Sequence, residues 1–124
     1  AMPGFYDAYE SHLTTYDRKD GELFTSQLNA AKTAGLNWLQ ISTWNDYTEG
    51  TIIEPTEEFG YKYLTLLQQF AGVSYTQNDL ELVARRYAVR VAKGASNSNV
   101  VKAYQYLASL QTDKAKKLIE SLEK

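Results

Sequence analysis

Two carboxylates, Asp46 and Glu49, stand three positions apart in the segment Trp44-Asn45-Asp46-Tyr47-Thr48-Glu49-Gly50-Thr51. Such a pair on one loop can converge on one small volume. Cleaving a glycosidic bond needs two carboxyl groups in different protonation states. One donates a proton to the leaving oxygen, and the other activates water or supports a nucleophile. Asn45, Tyr47 and Thr48 can hydrogen-bond a sugar or orient a carboxylate. The ring of Trp44 can serve as a sugar platform, and Gly50 permits a sharp turn or a close ligand approach. On these residue types alone, a polar loop closed by an Asx-turn at Asn45 or Asp46 is an equal reading.

The elements around that loop follow from periodicity. Leu36 to Trp44 alternates: Leu39, Ile41 and Thr43 point one way, and Trp38, Gln40, Ser42 and Trp44 the other. With its β-branched and aromatic residues this reads as a strand covered on both faces. A helix is predicted before it, from a cap at Asp20 to about Ala34, with Phe24, Leu28 and Ala31 on one face and Gly35 as the stop. Helix, glycine stop and strand form the αβ half of a βαβ unit. After the loop, Thr56 reads as a cap, with Glu57 and Glu58 in the first turn. Phe59, Tyr63, Leu66, Leu67 and Phe70 repeat at helical spacing to Gly72.

Beyond Gly72 the texture changes. Residues 73–78 read as a linker and three amphipathic helices follow. Leu80, Val83, Tyr87 and Val91 stripe the first, which Gly94 ends. Val100, Ala103, Tyr104, Leu107 and Leu110 stripe the second, capped by Asn97 or Ser98. Ala115, Leu118, Ile119 and Leu122 stripe the third, capped by Thr112 or Asp113. The chain is thus expected to divide into residues 1–72, carrying the carboxylate loop, and residues 73–124, a helical extension.

Composition closes off several functions. The formal net charge is -2, and no basic run stands beside stacking aromatics, so no nucleic-acid partner is expected. There is no cysteine, which excludes a disulfide framework, a thiolate metal site and a cysteine nucleophile. His12 is the only histidine, so no metal site and no cofactor are expected. No apolar run approaches a membrane span, and no signal-peptide pattern opens the chain. Ala1 before Met2 reads as a tag remnant, with Met2 as the start. Ten tyrosines and two tryptophans suit stacking on sugars, although tyrosine is also a common core-edge residue.

The run Trp44 to Thr56, Trp-Asn-Asp-Tyr-Thr-Glu-Gly-Thr-Ile-Ile-Glu-Pro-Thr, resembles the last-strand signature of glycoside hydrolase families 71 and 99 and their bacterial relatives. These include α-1,3-glucanases and endo-α-mannosidases. Pro3 to Asp7 looks like the family's seventh strand, Arg18 to Gly21 like its Arg-x-x-Gly stretch, and Leu39 to Thr43 like the eighth strand. The resemblance covers about residues 3–70. It implies Glu49 as a general acid/base and Asp46 as the other catalytic carboxylate. Family 99 has Glu at the Asp46 position and family 71-like sequences have Asp, so the shorter side chain leans toward a glucanase-like branch. Tyr6, Asp7, Arg18, Trp44, Asn45 and Tyr47 become candidates for touching sugar, with Glu54 at the rim. Relatives are often exported.

The expectation is therefore an α/β fragment, mostly helical. It comprises the last βα units of a TIM-type barrel followed by a C-terminal three-helix tail. A complete barrel needs about 250 residues and eight strands, so the isolated chain is expected to lack hydrolytic activity by itself. It is also expected to self-associate as a homo-oligomer through the exposed barrel-fragment surface. The alternatives are a small helical protein-interaction module and a non-catalytic carbohydrate-binding module.

Overall fold

The computed structural model describes residues 1–7 and 15–124. His12 and part of the predicted polar loop lie outside the described residues. The chain forms two compact units, Ala1–Ser74 and Tyr75–Lys124. Among the described residues there are five α-helices and no sheet: α1 Glu22–Thr33, α2 Lys62–Ala71, α3 Gln77–Lys93, α4 Ser98–Ala108 and α5 Thr112–Leu122. No helix of the described residues is long and apolar enough to cross a membrane.

In the first unit, a 3-10 turn at Lys19–Gly21 leads into α1. Gly21 enters the helix at φ 102°, and a Cβ there would meet Leu66 Cδ1 at 3.0 Å. Both demands select glycine. The far end closes with the two bonds of a Schellman motif: Leu36 N–H donates to Ala31 O and Gly35 N–H to Lys32 O, with Gly35 left-handed. α1 turns Phe24, Leu28 and Ala31 inward. Phe24, Leu28, Ile53 and Tyr63 form the core, with Leu39, Ile41, Phe59 and Phe70 packed against it. The Phe24 and Tyr63 rings meet edge to face at 5.9 Å. Each such buried side chain contributes about 1.5–3 kcal/mol.

The barrel expectation is overturned here. Residues 36–44 are extended in pattern but form no strand. Leu39 and Ile41 are half-buried on the core, while Trp38 is 91 % exposed and Trp44 53 %. The alternation is real, but only one face is covered. A strand exists through its ladder, and this backbone is paired only at its end. Ser42 N–H donates to Ala1 O, and Thr43 and Trp44 exchange bonds with residues 51–54. The segment likened to a seventh strand makes a single antiparallel bridge, Phe5 to Tyr16, not a parallel pair. The chain is therefore not a run of βα units.

The helix predicted from Thr56 also starts later. Thr56 Oγ1 accepts the Phe59 N–H, but the turn it caps is closed by Gly60 N–H to Thr56 O. Gly60 is left-handed, which ends that turn before α2 begins.

The second unit is a bundle of α3, α4 and α5. Thr76 and Asp79 form a capping box at the start of α3. Asn97 Oδ1 accepts the Asn99 and Val100 N–H groups at the start of α4. The core is Leu82, Val89, Val100, Ala103, Ala115 and Ile119. Ala103 and Ala115 are fully buried. Helices as short as α4 and α5 are marginal alone, so this packing holds them. Arg85 grips Glu123 through two bonds of 2.8 and 2.6 Å. Two stripe expectations fail. Val83, Tyr87 and Val91 are exposed, and α3 faces the core with Leu82 and Val89 instead. On α4, Tyr104 is 56 % exposed, and Leu110 lies past the end of the helix in a left-handed turn and is 63 % exposed.

Candidate functional site

The loop that carries Asp46 and Glu49 is closed on itself. Thr43 N–H donates to Thr51 O, Thr51 N–H to Asp46 O, and Glu54 N–H to Trp44 O. The Thr43 and Thr51 hydroxyls meet at 2.8 Å. Thr51 is buried, so this pairing satisfies a hydroxyl that burial would otherwise leave costly. Thr43 Oγ1 also accepts the Asp46 N–H. The two threonines thus fix both ends of the turn.

Asp46 braces that turn from inside. Its Oδ1 accepts the Thr48 hydroxyl at 2.6 Å and the Thr48 and Glu49 N–H groups at 3.1 Å each. The Thr48 hydroxyl bond is the main reason its carboxyl is held below the ordinary aspartate value, helped by the Glu49 N–H. Asp46 is therefore a carboxylate at neutral pH, suited to stabilise positive charge, and not to donate a proton. Glu49 follows with an exposed side chain, and its carbonyl accepts the Tyr6 N–H at 2.8 Å.

Tyr6 is thereby tied to the loop. A Cβ on Gly50, which sits at φ 60°, would meet Tyr6 Cβ at 3.4 Å. The Tyr6, Trp44 and Tyr47 side chains are all exposed, as is Asn45. Tyr47 donates its hydroxyl to Glu54 Oε1 at 2.6 Å. That bond to a carboxylate is the main cause of a phenol pKa pushed above the ordinary tyrosine value. Glu54 thus orients a ring at the edge of the loop. Asp7 follows Tyr6 and is half-buried.

Arg18 does something different from touching a sugar. Its guanidinium donates to Gly50 O at 2.6 Å and Ile52 O at 3.1 Å. Its Cζ lies 4.2 Å from the Phe59 ring centroid and 4.7 Å from that of Tyr63. It clamps the returning limb of the loop onto the aromatic core. Trp38, on a face that the strand reading expects to be covered, is the most exposed large hydrophobic side chain among the described residues. A strand without a second covered face could have revealed this.

The sequence-predicted residues therefore fall into two groups. Tyr6, Trp44, Asn45, Tyr47, Asp46 and Glu49 gather on one hydrogen-bonded loop and the chain segment tied to it, with Asp7 next to Tyr6 on that segment. Arg18 lies beneath as its anchor. Sequence reasoning missed Thr43 and Thr51, whose matched hydroxyls hold the loop shut. Their one signal was two β-branched hydroxyl residues flanking a polar turn. Searches among protein-family models, curated proteins and solved structures return no match to this chain.

Proposed function

We propose that the chain is part of a glycoside hydrolase-like protein of the family 71 or 99 kind, and that residues 43–54 form a carbohydrate-contacting loop. The substrate class is α-linked glucan or mannan. The observation that carries the reading is the exposure of Trp44, Tyr47 and Tyr6 on a loop held rigid by Asp46, Thr43, Thr51 and Arg18. Exposed aromatic faces with neighbouring amide and carboxylate groups suit a sugar ring, which stacks its apolar face on them and hydrogen-bonds through its hydroxyls.

The isolated chain binds rather than cleaves. Asp46 is ionised and engaged with its own loop. Glu49 is exposed, so a sugar beside it stays in contact with water. Catalysis requires reacting atoms held within about 3–3.5 Å in a site that excludes water. In a longer protein, further segments would supply that enclosure, with Glu49 as acid/base and Asp46 as the second carboxylate.

The test is an NMR titration of the chain with α-1,3-linked glucose oligomers and with α-mannose oligomers. Shifts at the Asn45, Thr48, Glu49 and Gly50 amides, abolished in Trp44→Ala, are expected, with no hydrolysis on long incubation. Absence of shifts with both sugars, or shifts indifferent to Trp44→Ala and Tyr47→Ala, would overturn the binding reading. Turnover by the isolated chain that Glu49→Gln abolishes would overturn the division between binding and cleavage.

A further inference from the structure

The groove between α4 and α5 gathers cations from both helices. Only residues 109–111 separate the two helices, so they run antiparallel, and residues equally far from that turn come to the same height. On α4, Asn99, Lys102 and Tyr106 share one face; on α5, Lys114, Lys117, Leu118 and Ser121 do. Together they line an open hollow of about 320 Å³. Lys102 and Lys114 reach the same ring from different helices, their Nζ atoms 5.8 and 5.7 Å from the Tyr106 centroid. Lys114 Nζ also donates to Gln111 Oε1 at 2.6 Å, which fixes it there. Lys117 follows one turn farther along α5.

No carboxylate lines this hollow, and α4 has no acidic residue. On α5, Asp113 precedes Lys117 by four positions and Glu120 follows it by three. Even so, Lys102, Lys114 and Lys117 form no ion pair among the described residues. Glu123 is engaged by Arg85. Asp79 of α3 is engaged by Thr76 and, across the bundle, faces Thr112 and Lys116. Residues 75–124 hold nine Lys and Arg against five Asp and Glu, so this unit is positive although the whole chain is not. Gathering three of those cations on one concave surface raises its potential for anions.

We infer that the hollow binds a small phosphorylated sugar by its phosphate group. A phosphate monoester carries a charge of about −1.5 to −2 on three acceptor oxygens, which matches three ammonium groups. A carboxylate offers a single charge and two oxygens. The volume of about 320 Å³ falls at the lower end of small-ligand sites, roughly 300–1,000 Å³, which suits a phosphate with one sugar ring. Tyr106 and Leu118 supply an apolar floor, while the Asn99 amide and Ser121 hydroxyl are donors and acceptors for sugar hydroxyls. Tyr106 is half-buried and already faced by two cations, which disfavours a stacked nucleobase. This site lies wholly within residues 75–124 and is independent of the loop at residues 43–54.

The test is an NMR titration of the full chain at low salt with glucose 6-phosphate. Saturable shifts at the Asn99, Lys102, Lys117 and Ser121 amides are expected, with a dissociation constant of about 1 mM because the lysines are exposed. Inorganic phosphate should bind about tenfold more weakly, lacking the ring, and glucose should not bind. Lys102→Ala and Lys114→Ala should each weaken binding about threefold, as for a partly exposed ion pair, with the circular dichroism spectrum unchanged. Lys93→Ala removes the same charge at the end of α3, away from the hollow, and should leave binding intact. Four outcomes would each overturn the proposal: no shift at about 10 mM ligand, equal weakening by Lys93→Ala, inorganic phosphate binding as tightly as glucose 6-phosphate, or adenosine monophosphate binding more tightly.

Discussion

Arg18 Nη2 donates to Gly50 O at 2.6 Å across 32 positions of chain. The same guanidinium lies over the Phe59 and Tyr63 rings. One side chain thus ties the loop to the core of its unit. Replacing it with alanine removes two charge-assisted hydrogen bonds and two ring contacts. It should lower the stability of residues 1–74 by about 2–4 kcal/mol. Arg18→Lys should recover about half at most, because an ammonium cannot reach both carbonyls while lying flat on the rings. Urea melts monitored at the loop amides measure both.

Leu110 occupies a position built for glycine. α4 ends in a Schellman motif: Gln111 N–H donates to Tyr106 O at 2.8 Å and Leu110 N–H to Leu107 O at 3.0 Å. That geometry sets Leu110 at φ 58°, in the left-handed region that costs a side chain roughly 1–2 kcal/mol. Leu110 is mostly exposed, so little packing offsets the strain. Leu110→Gly should stabilise residues 75–124 by about 1 kcal/mol, read as a higher denaturation midpoint with an unchanged slope.

The Asp46 brace is pH-dependent. Its folded carboxyl lies below the ordinary value, chiefly because of the Thr48 hydroxyl. A depressed folded value means the contribution is complete above the unfolded range and is lost as pH falls through the folded one. Between about pH 5 and pH 2, the Thr48 and Glu49 amides should shift together while core amides of α1 and α2 hold. Thr48→Val should move that transition to higher pH.

The face assignment of α3 and α5 can be checked by contrast. Ile119 is fully buried against the bundle, and Val83 is 61 % exposed. Ile119→Ala should cost about 2–5 kcal/mol, whereas Val83→Ala should fall within about 0.5 kcal/mol. Thr76→Ala, which breaks the capping box, should fall between them at about 1 kcal/mol. Guanidinium melts of the three variants give the order.

Local signals survived translation into structure where one residue type decides the outcome. Gly35 stops α1, Gly72 stops α2, and Asn97 caps α4, because a left-handed turn or an N–H acceptor is a local requirement. The failures are tertiary. Leu39 and Ile41 alternate as a strand would, yet a ladder needs a partner that periodicity cannot supply. On α3 the larger apolar stripe was the natural choice for the core, but α4 and α5 cover Leu82 and Val89. Periodicity reveals that a face is apolar, not which face is met. At the loop, residue types indicated stacking and paired carboxylates. That Asp46 would be held by Thr48 and Glu49 depended on hydrogen bonds between neighbours, as the Asx-turn alternative implied.

The Arg18 clamp also bears on the order in which the chain acquires structure. Its bonds to Gly50 and Ile52 join residues 32 and 34 positions apart, as Gln27 joins Met2 across 25. Such closures surrender chain entropy before any contact repays it. Residues 75–124 instead gain their helices from short-range caps, with α4 and α5 adjacent in the chain. Local contacts of that kind form fastest. A refolding experiment should therefore record helical signal from residues 75–124 ahead of Trp44 reaching its native environment, with Arg18→Ala slowing or abolishing only the later phase.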